Sequence, residues 1–164
     1  MKELASEFNH ALIIPTLSPV NLHGDNIEHL LLGTIAKESE FKYLRQQGFS
    51  LESDNGAFGL LQIERQSNYI AYKYSLEKHP KIHSYLLKLG GKNSVKFNLM
   101  FNFPYQILIA RIIYLSIKHP LPDCNDLAGM AEYWLNYYNR NEENIRNKDE
   151  SVNKFIAAYD AYVL

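Results

Sequence analysis

The stretch that decides the fold is residues 25–41, DNIEHLLLGTIAKESEF. Asp25 is a favoured N-cap residue, and Glu28 three positions later completes a capping-box-like pattern at a helix start. Further along, side chains suited to one helix face recur at spacings of three and four. These are Ile27, Leu30, Leu31, Thr34 and Ile35. Glu38 falls on the same stripe, so the sequence predicts an amphipathic helix with a carboxylate near the C-terminal end of its inward face.

A negative charge is unfavourable at this position. Burial disfavours the ionised form, and the negative end of the helix dipole acts in the same direction, so we expect the pKa of Glu38 to be raised. A carboxylic acid that stays protonated near neutral pH suits cleavage of a glycosidic bond, because the leaving oxygen must receive a proton. The alternative is a partly exposed glutamate at a frayed helix end, and position alone leaves both interpretations open.

The second informative stretch is residues 56–64, GAFGLLQIE. Residues 41–50 form a polar connection to it, and Asp54-Asn55-Gly56 is a turn signal among short apolar runs. Runs this short, bounded by glycines, favour strands over a helix. We therefore predict a small hairpin or irregular sheet within residues 49–64, directly after the helix that carries Glu38.

Most of the remaining chain has helical periodicity. A short apolar-faced segment, residues 3–13, is expected to end before Pro15, with Pro15 and Pro19 in a non-helical connection. Further helices are predicted at residues 66–76, 80–89 and 103–117, from Asp123 or Asn125 to about 138, and at 150–163. The predicted fold class is mainly α (α+β), with one small β region.

Composition indicates a single soluble globular domain over residues 1–164, because 46% of the residues are hydrophobic and 21% are charged. The 17 basic and 18 acidic residues nearly cancel, so we do not expect the basic surface that nucleic acid requires. No run approaches the roughly 20 apolar residues of a membrane span. The single cysteine, Cys124, cannot form an intramolecular disulfide, and we expect no signal peptide because the N-terminus lacks an uninterrupted apolar run.

Three further features have structural interpretations. Arg111 interrupts a strongly apolar helix, so we expect it to be partly buried and paired with a carboxylate. Trp134 lies on a regular helical stripe and is expected to pack in the core. His79 and His83 have the i, i+4 spacing of a metal pair, but Pro80 lies between them and no third ligand motif is near, so no metal site is predicted.

Three pieces of the sequence, in order, resemble a known superfamily. They are Lys37-Glu38-Ser39-Glu40-Phe41, then the stretch 56–64, and later Tyr137-Tyr138-Asn139. Together they resemble the lysozyme-like superfamily of soluble lytic transglycosylases and goose-type lysozymes. Residues 99–140 also look like a phage-encoded branch of that superfamily. The resemblance implies a lysozyme-like fold, with a small β-hairpin region after the catalytic helix.

The resemblance also implies site roles, with Glu38 as the general acid that protonates the glycosidic oxygen. Ser39 would orient the sugar, Gly56 and Gly59 would let backbone approach a saccharide, and Gln62 would offer hydrogen bonds along the cleft. Tyr138 and Asn139 would close the site. Two departures stand out: Leu61 replaces a frequent Met, and Arg140-Asn141 replaces residues that are often Ala-Gly.

The reaction depends on a second group. A hydrolase needs a second carboxylate, whereas a lytic transglycosylase manages with one glutamate because the substrate's own 6-hydroxyl attacks. Candidates for a second carboxylate are Glu52, Asp54 and Glu64, and goose-type lysozymes carry acidic residues at positions matching Glu64 and, roughly, Asp54. Glu64 is therefore a candidate catalytic residue beside Glu38, although it also suits a helix cap or an ion pair. Asp54 also suits a turn.

The expected function is cleavage of the β-1,4 bond between N-acetylmuramic acid and N-acetylglucosamine in peptidoglycan, without a cofactor. Lytic transglycosylation is preferred to hydrolysis. The rival interpretations are a catalytically silent glycan-binding or structural virion protein with the same fold, and a chitinase-like enzyme. The expected partner is a peptidoglycan glycan strand, with no stable membrane insertion. We expect synthesis in a host cytoplasm and action in the periplasm or cell wall, after holin-dependent release or carriage on a phage particle.

Overall fold

The computed structural model describes residues 2–139 and 141–164. It is mainly helical with one two-stranded antiparallel sheet, which confirms the mainly α class. The first half contains α1 (Lys2–Phe8), a π-helical turn (Asn9–Ile13), α2 (Ile14–Leu17), a 3-10 turn (Ser18–Val20), α3 (Asp25–Ser39), β1 (Ala57–Phe58) and β2 (Ile63–Glu64). The second half contains α4 (Arg65–Lys78), α5 (Pro80–Gly90), α6 (Val95–Phe101), α7 (Phe103–Leu115), α8 (Leu127–Tyr137), α9 (Glu142–Arg146) and α10 (Lys148–Tyr162).

Helix α3 is the central element of the fold. Its residues from Leu30 to Ala36 are all buried, and it packs against α7, α8 and α10. Gly33 makes the contact with α10 close, because a Cβ at this position would lie 2.5 Å from the Phe155 ring. This packing holds the C-terminal end of α3, and with it Glu38, at a defined place in the molecule.

The start of α3 differs from the prediction by one residue. Gly24 is the N-cap and Asp25 is the first helical residue, so Asp25 does not cap the helix. Glu28 still reaches back, accepting a hydrogen bond of 2.9 Å from the Gly24 backbone N–H, and it also accepts one of 3.0 Å from the Asn9 side chain. The Glu28 carboxylate therefore satisfies a helix-end donor and ties the N-terminal segment to α3.

The prediction that Pro15 and Pro19 form a non-helical connection is wrong. Helical turns continue through both residues, as far as Val20. Each proline occupies one of the first two positions of a new helical segment, Pro15 in α2 and Pro19 in the 3-10 turn. Proline is accommodated there because no intrahelical hydrogen bond is required from its nitrogen.

The predicted hairpin is present. Ala57 of β1 pairs with Glu64 of β2 and Phe58 pairs with Ile63, with residues 59–62 as the connecting turn. Gln106 of α7 supports the turn by accepting a 3.0 Å hydrogen bond from the Leu60 backbone N–H. The hairpin therefore lies against α7.

In the second half of the chain, the five predicted helices agree with α4, α5, α7, α8 and α10 to within a few residues. Two short helices, α6 and α9, were not predicted, because five to seven residues are too few to show a helical period. Asp126, and neither Asp123 nor Asn125, caps α8, accepting a 2.8 Å hydrogen bond from the Gly129 N–H.

Arg111 is buried in α7 as predicted, but its expected pairing with a carboxylate is wrong. Its Nε donates a 3.0 Å hydrogen bond to the Leu22 carbonyl, and among the described residues it makes no ion pair. A backbone carbonyl thus supplies the acceptor that a buried guanidinium needs. Burial lowers the pKa of Arg111.

No helix in the described part of the chain is long and apolar enough to span a membrane.

Arg45 organises the connection between α3 and the hairpin. Its buried guanidinium donates to four backbone carbonyls in the segment 50–57 and lies 4.2 Å from the centre of the Phe58 ring. The carbonyls are those of Ser50, Ser53, Asn55 and Ala57. The segment 50–57 has little regular structure, so these bonds replace the ones that a helix or sheet would supply.

We expect Arg45→Lys to lower the free energy of unfolding by about 2–3 kcal/mol, because an ammonium cannot reproduce the fork of donors that a guanidinium directs at several acceptors. Urea denaturation measures the loss, and limited proteolysis should cut first within residues 50–57. Arg65→Lys is the matched control, since Arg65 is exposed and pairs with Asp54 at 3.1 Å. It should change the stability by less than about 0.5 kcal/mol. Equal effects of the two substitutions would contradict the role assigned to Arg45.

Candidate functional site

A cavity of about 820 Å³ opens at the C-terminal end of α3. Its walls come from the loop after α3, the hairpin, α4, the end of α7 and the segment after α8. Six of the predicted site residues line it: Glu38, Ser39, Gln62, Glu64, Tyr138 and Asn139. The structure therefore brings together residues from three distant parts of the sequence.

Glu38 is held at the wall of this cavity by a specific donor. Its Oε1 accepts a 2.9 Å hydrogen bond from Nε1 of Trp134. Burial raises the pKa of the Glu38 carboxyl, which is the direction that the sequence predicted. The charge of Lys37 and hydrogen bonds from Trp134 and Asn139 lower the pKa without reversing that shift. Glu38 is thus a half-buried carboxyl that favours its protonated form and still has partners for its ionised form.

Trp134 combines two roles. It is fully buried, and its ring lies 5.5 Å from that of Phe155 in α10, so the predicted core position is confirmed. The sequence did not predict that its N–H would donate to Glu38. The available signal was that a buried indole needs an acceptor for its single N–H. Identifying that acceptor requires knowing that α8 packs against the end of α3.

Two stacked tyrosines lie beneath the site. Tyr138 donates a 2.7 Å hydrogen bond to the Leu61 carbonyl in the hairpin turn, and its ring stacks on Tyr114 at 5.3 Å. Tyr114 in turn shares a 2.7 Å hydrogen bond with the Thr34 hydroxyl of α3. Burial raises the pKa of both phenols well above the usual value, and the nearby Glu38 charge adds to this. The neutral pair therefore links α3, α7, the end of α8 and the hairpin around Glu38.

Asn139 follows Tyr138 and also lines the cavity. Its backbone N–H donates to the Trp134 carbonyl at 2.9 Å, and its Oδ1 accepts a 3.1 Å hydrogen bond from the Asn144 amide. Asn141 also lines the cavity and caps α9, whereas Arg140 lies outside the described residues. Asparagine side chains therefore form this edge of the cleft.

Ser39 and Gln62 complete the near wall. The buried Ser39 hydroxyl donates to the Ile35 carbonyl at 3.1 Å, so its proton is used within α3. Gln62 has a positive φ of 45°, and its Nε2 donates to the Gly59 carbonyl at 2.8 Å. Both side chains thus reach the cavity in positions fixed by bonds to the backbone.

Gly56 and Gly59 were predicted to let backbone approach a saccharide. Neither residue lines the cavity. A Cβ at Gly56 would lie 2.7 Å from the Gln46 side chain, and one at Gly59 would overlap the Leu99 carbonyl and the Gln106 side chain. Both glycines have positive φ, 83° and 74°. Their missing side chains therefore make room for neighbouring protein atoms.

Of the candidate second carboxylates, Glu64 alone lines the cavity. It is exposed and occupies the N-cap position of α4 without accepting a capping hydrogen bond. Asp54 is exposed and pairs with Arg65 at 3.1 Å and with Lys96 at 3.6 Å. Glu52 and Asp54 both lie outside the cavity wall.

Glu40 lines the cavity as well and was not singled out from the sequence. Its Oε2 accepts hydrogen bonds from Lys42 Nζ at 2.9 Å and from the Tyr162 hydroxyl at 2.6 Å. These donors lower the pKa of the Glu40 carboxyl, Lys42 most strongly. The cavity therefore contains one glutamate biased toward the protonated form and another biased toward the ionised form.

No cluster of three His, Cys, Asp or Glu side chains suited to a metal ion occurs among the residues described. His83 is buried and its Nδ1 bonds to the Ser75 hydroxyl at 2.9 Å. What the site offers chemically is a proton donor with a raised pKa in an open, polar cleft.

No protein-family model, curated protein or solved structure matches the chain at a significant level.

Trp134 is the only tryptophan in the chain and contacts Glu38 directly, so its fluorescence should report the ionisation of that carboxyl. We expect a fluorescence transition with a midpoint above about 4.3, the ordinary value for glutamate. Glu38→Gln should abolish the transition, and Glu40→Gln should leave it in place because the pKa of Glu40 is lowered. A transition at or below the ordinary value would show that burial does not dominate the site.

Proposed function

We propose that the protein cleaves the β-1,4 bond between N-acetylmuramic acid and N-acetylglucosamine in peptidoglycan, with Glu38 as the general acid, and that its helices and hairpin form a lysozyme-like fold. One observation carries the proposal. A carboxyl with a raised pKa is held by Trp134 at the wall of an open cavity of about 820 Å³. The sequence motifs around Glu38, the hairpin and Asn139 direct the proposal to peptidoglycan.

The proposed chemistry begins with proton transfer from Glu38 to the glycosidic oxygen as its bond to the anomeric carbon breaks. This leaves Glu38 ionised, and the hydrogen bond from the Trp134 N–H then stabilises the carboxylate. The two states of the acid thus have separate support: burial favours the protonated form before cleavage, and the polar contacts favour the ionised form after it.

Lytic transglycosylation is the preferred second step. The substrate's 6-hydroxyl would attack the anomeric carbon while the Glu38 carboxylate takes up the hydroxyl proton, giving a 1,6-anhydro end. One feature supports this choice: the Glu40 carboxylate is already bound by Lys42 and Tyr162. Hydrolysis by a muramidase, with Glu64 activating water, is the next candidate.

Delivery belongs to the same proposal. The resemblance of residues 99–140 to a phage-encoded branch favours an endolysin that reaches the cell wall after holin-dependent release, or an enzyme carried on a virion. The partner in either case is a peptidoglycan glycan strand. We propose no cofactor, since the proposed chemistry uses only carboxyl groups and the substrate's own hydroxyl or water.

Digestion of purified Gram-negative sacculi, followed by mass spectrometry of the products, tests the proposal. Fragments with 1,6-anhydro ends would support transglycosylation, and reducing ends would support hydrolysis. Binding to sacculi without release of fragments would favour the catalytically silent glycan-binding or structural virion protein. Preference for chitin oligomers over sacculi would favour a chitinase-like enzyme. If the protein neither binds nor cleaves any of these glycans, the proposal is overturned.

A further inference from the structure

Lys37 lies at the wall of the cavity. It is half-buried in the last turn of α3, and its Nζ lies 5.0 Å from the centre of the Trp134 ring. Among the described residues Lys37 makes no ion pair. A cation over an aromatic face is held through its charge and keeps its N–H donors for other acceptors. The ammonium is therefore positioned by Trp134 and still able to donate hydrogen bonds.

Among the described residues, none of the other charged groups of the cavity wall forms an ion pair with Lys37. Arg45 directs its donors at the backbone carbonyls of the segment 50–57. The Glu40 carboxylate is bound by Lys42 and Tyr162. Glu64 is exposed at the start of α4. The Lys37 ammonium therefore makes no ion pair within the described part of the chain and keeps its N–H donors for a ligand, although its charge also acts on Glu38 and Glu40.

The position of Lys37 beside Glu38 has a cost for the proposed reaction. A neighbouring positive charge favours the ionised form of a carboxyl, so it lowers the pKa of the group that must supply a proton. An anion bound at Lys37 would cancel this influence. Binding of that anion and protonation of Glu38 would then favour each other, so the acid would be better protonated in the complex than in the free protein.

We propose that Lys37, held over the Trp134 ring, binds a carboxylate carried by the substrate beside the bond that Glu38 cleaves. This inference rests on the proposed function and narrows it to anionic glycans. The shared chemistry is a carboxylate with two sources in peptidoglycan: the lactyl group of a peptide-free muramic acid, or an acidic residue of an attached peptide stem. Chitin oligomers have neither group. Lys37 would therefore be a specificity residue that distinguishes muramic acid from neutral amino sugars.

The test compares Lys37→Met with wild type on four glycans: peptide-free strands with free lactyl carboxylates, the same strands with those carboxylates amidated, strands with intact peptide stems, and chitin oligomers. Affinity is measured in the Glu38→Gln background from the change in Trp134 fluorescence, and kcat/KM is measured with Glu38 intact. Lys73→Met is the matched control, because Lys73 also lies over an aromatic ring, that of Tyr69 at 5.9 Å, but outside the cavity wall.

We expect Lys37→Met to weaken binding and lower kcat/KM about tenfold on carboxylate-bearing strands. On amidated strands and chitin oligomers the affinity should change by less than about twofold, and kcat/KM should not fall, because removing the Lys37 charge favours the protonated form of Glu38. Loss on peptide-free strands would identify the lactyl carboxylate, and loss only on strands with stems would identify the stem. Lys73→Met should match wild type throughout.

Equal losses on charged and neutral glycans, or no loss on either, would overturn the inference. If wild type binds these glycans and cleaves none of them, the proposed function fails, while the affinities in the Glu38→Gln background still decide the role of Lys37. If it binds none of them, both proposals fail.

Discussion

We expect Glu38→Gln to lower the rate of peptidoglycan cleavage at least about a hundredfold, because the variant has no proton to give to the leaving oxygen. The fold should be retained, since Gln has nearly the same shape and its carbonyl can still accept the Trp134 N–H at the position of Oε1. Release of soluble fragments from sacculi measures the effect, and near-ultraviolet circular dichroism checks the packing around Trp134. Activity within about threefold of wild type would remove Glu38 from the mechanism.

Glu64→Gln is the companion variant, because Glu64 is an exposed carboxylate on the wall of the same cavity. A transglycosylase that uses Glu38 alone should tolerate this change. A hydrolase in which Glu64 activates water should lose most of its activity. The pair of variants therefore distinguishes the two reactions by a route independent of product analysis.

The same Glu38→Gln substitution should alter stability in a pH-dependent way. Because the pKa of Glu38 is raised in the folded protein, the folded state holds this proton to higher pH than the unfolded chain does. The stability of wild type therefore falls as the pH rises from the ordinary glutamate value through the folded-state pKa. Gln cannot ionise, so the variant should match wild type near pH ~4 and have the higher Tm near pH ~8. A variant that is less stable at both values would contradict this sign.

The largest loss of stability is expected for Gly59→Ala, about 3 kcal/mol or more. Two costs add at this position. The φ of Gly59 is 74°, a conformation that residues with a Cβ rarely adopt, and the new Cβ would overlap the Leu99 backbone and the Gln106 side chain. Because Gln106 also binds the Leu60 N–H, the overlap should disturb the hairpin turn. Chemical denaturation monitored by circular dichroism measures the change.

Gly48→Ala separates the two costs. Gly48 has a similar φ of 85°, but nothing lies within 4 Å of the Cβ that alanine would add. It should therefore lose only about 1 kcal/mol from backbone strain. Equal losses at Gly48 and Gly59 would mean that the overlap is relieved without cost. In that case the hairpin would not be held against α7 as tightly as the contacts indicate.

How much could be read from the sequence depended on whether a feature is local. The face of α3 and the hairpin turn were predicted because helical spacing and turn residues act over a few positions. The prediction for Pro15 was wrong because a proline does not interrupt a helix where a new helical segment begins. Whether a segment begins there is decided by the packing of the N-terminal segment. Arg111 was correctly expected to be buried, but its acceptor is the carbonyl of Leu22, 89 residues away in the sequence.

The sequence by itself determined that α3 carries Glu38 on its inward face and that a small hairpin follows. Both features depend only on the spacing of apolar and turn residues over a few positions. Only the tertiary structure decided what surrounds that carboxyl. Trp134, which donates to it, is 96 residues away, and Tyr138 bonds to a hairpin carbonyl 77 residues away. The tertiary structure also places Leu99 and Gln106 where a side chain at position 59 would lie. Contacts of this range follow from how α3, α7 and α8 pack, and no spacing within one element specifies them.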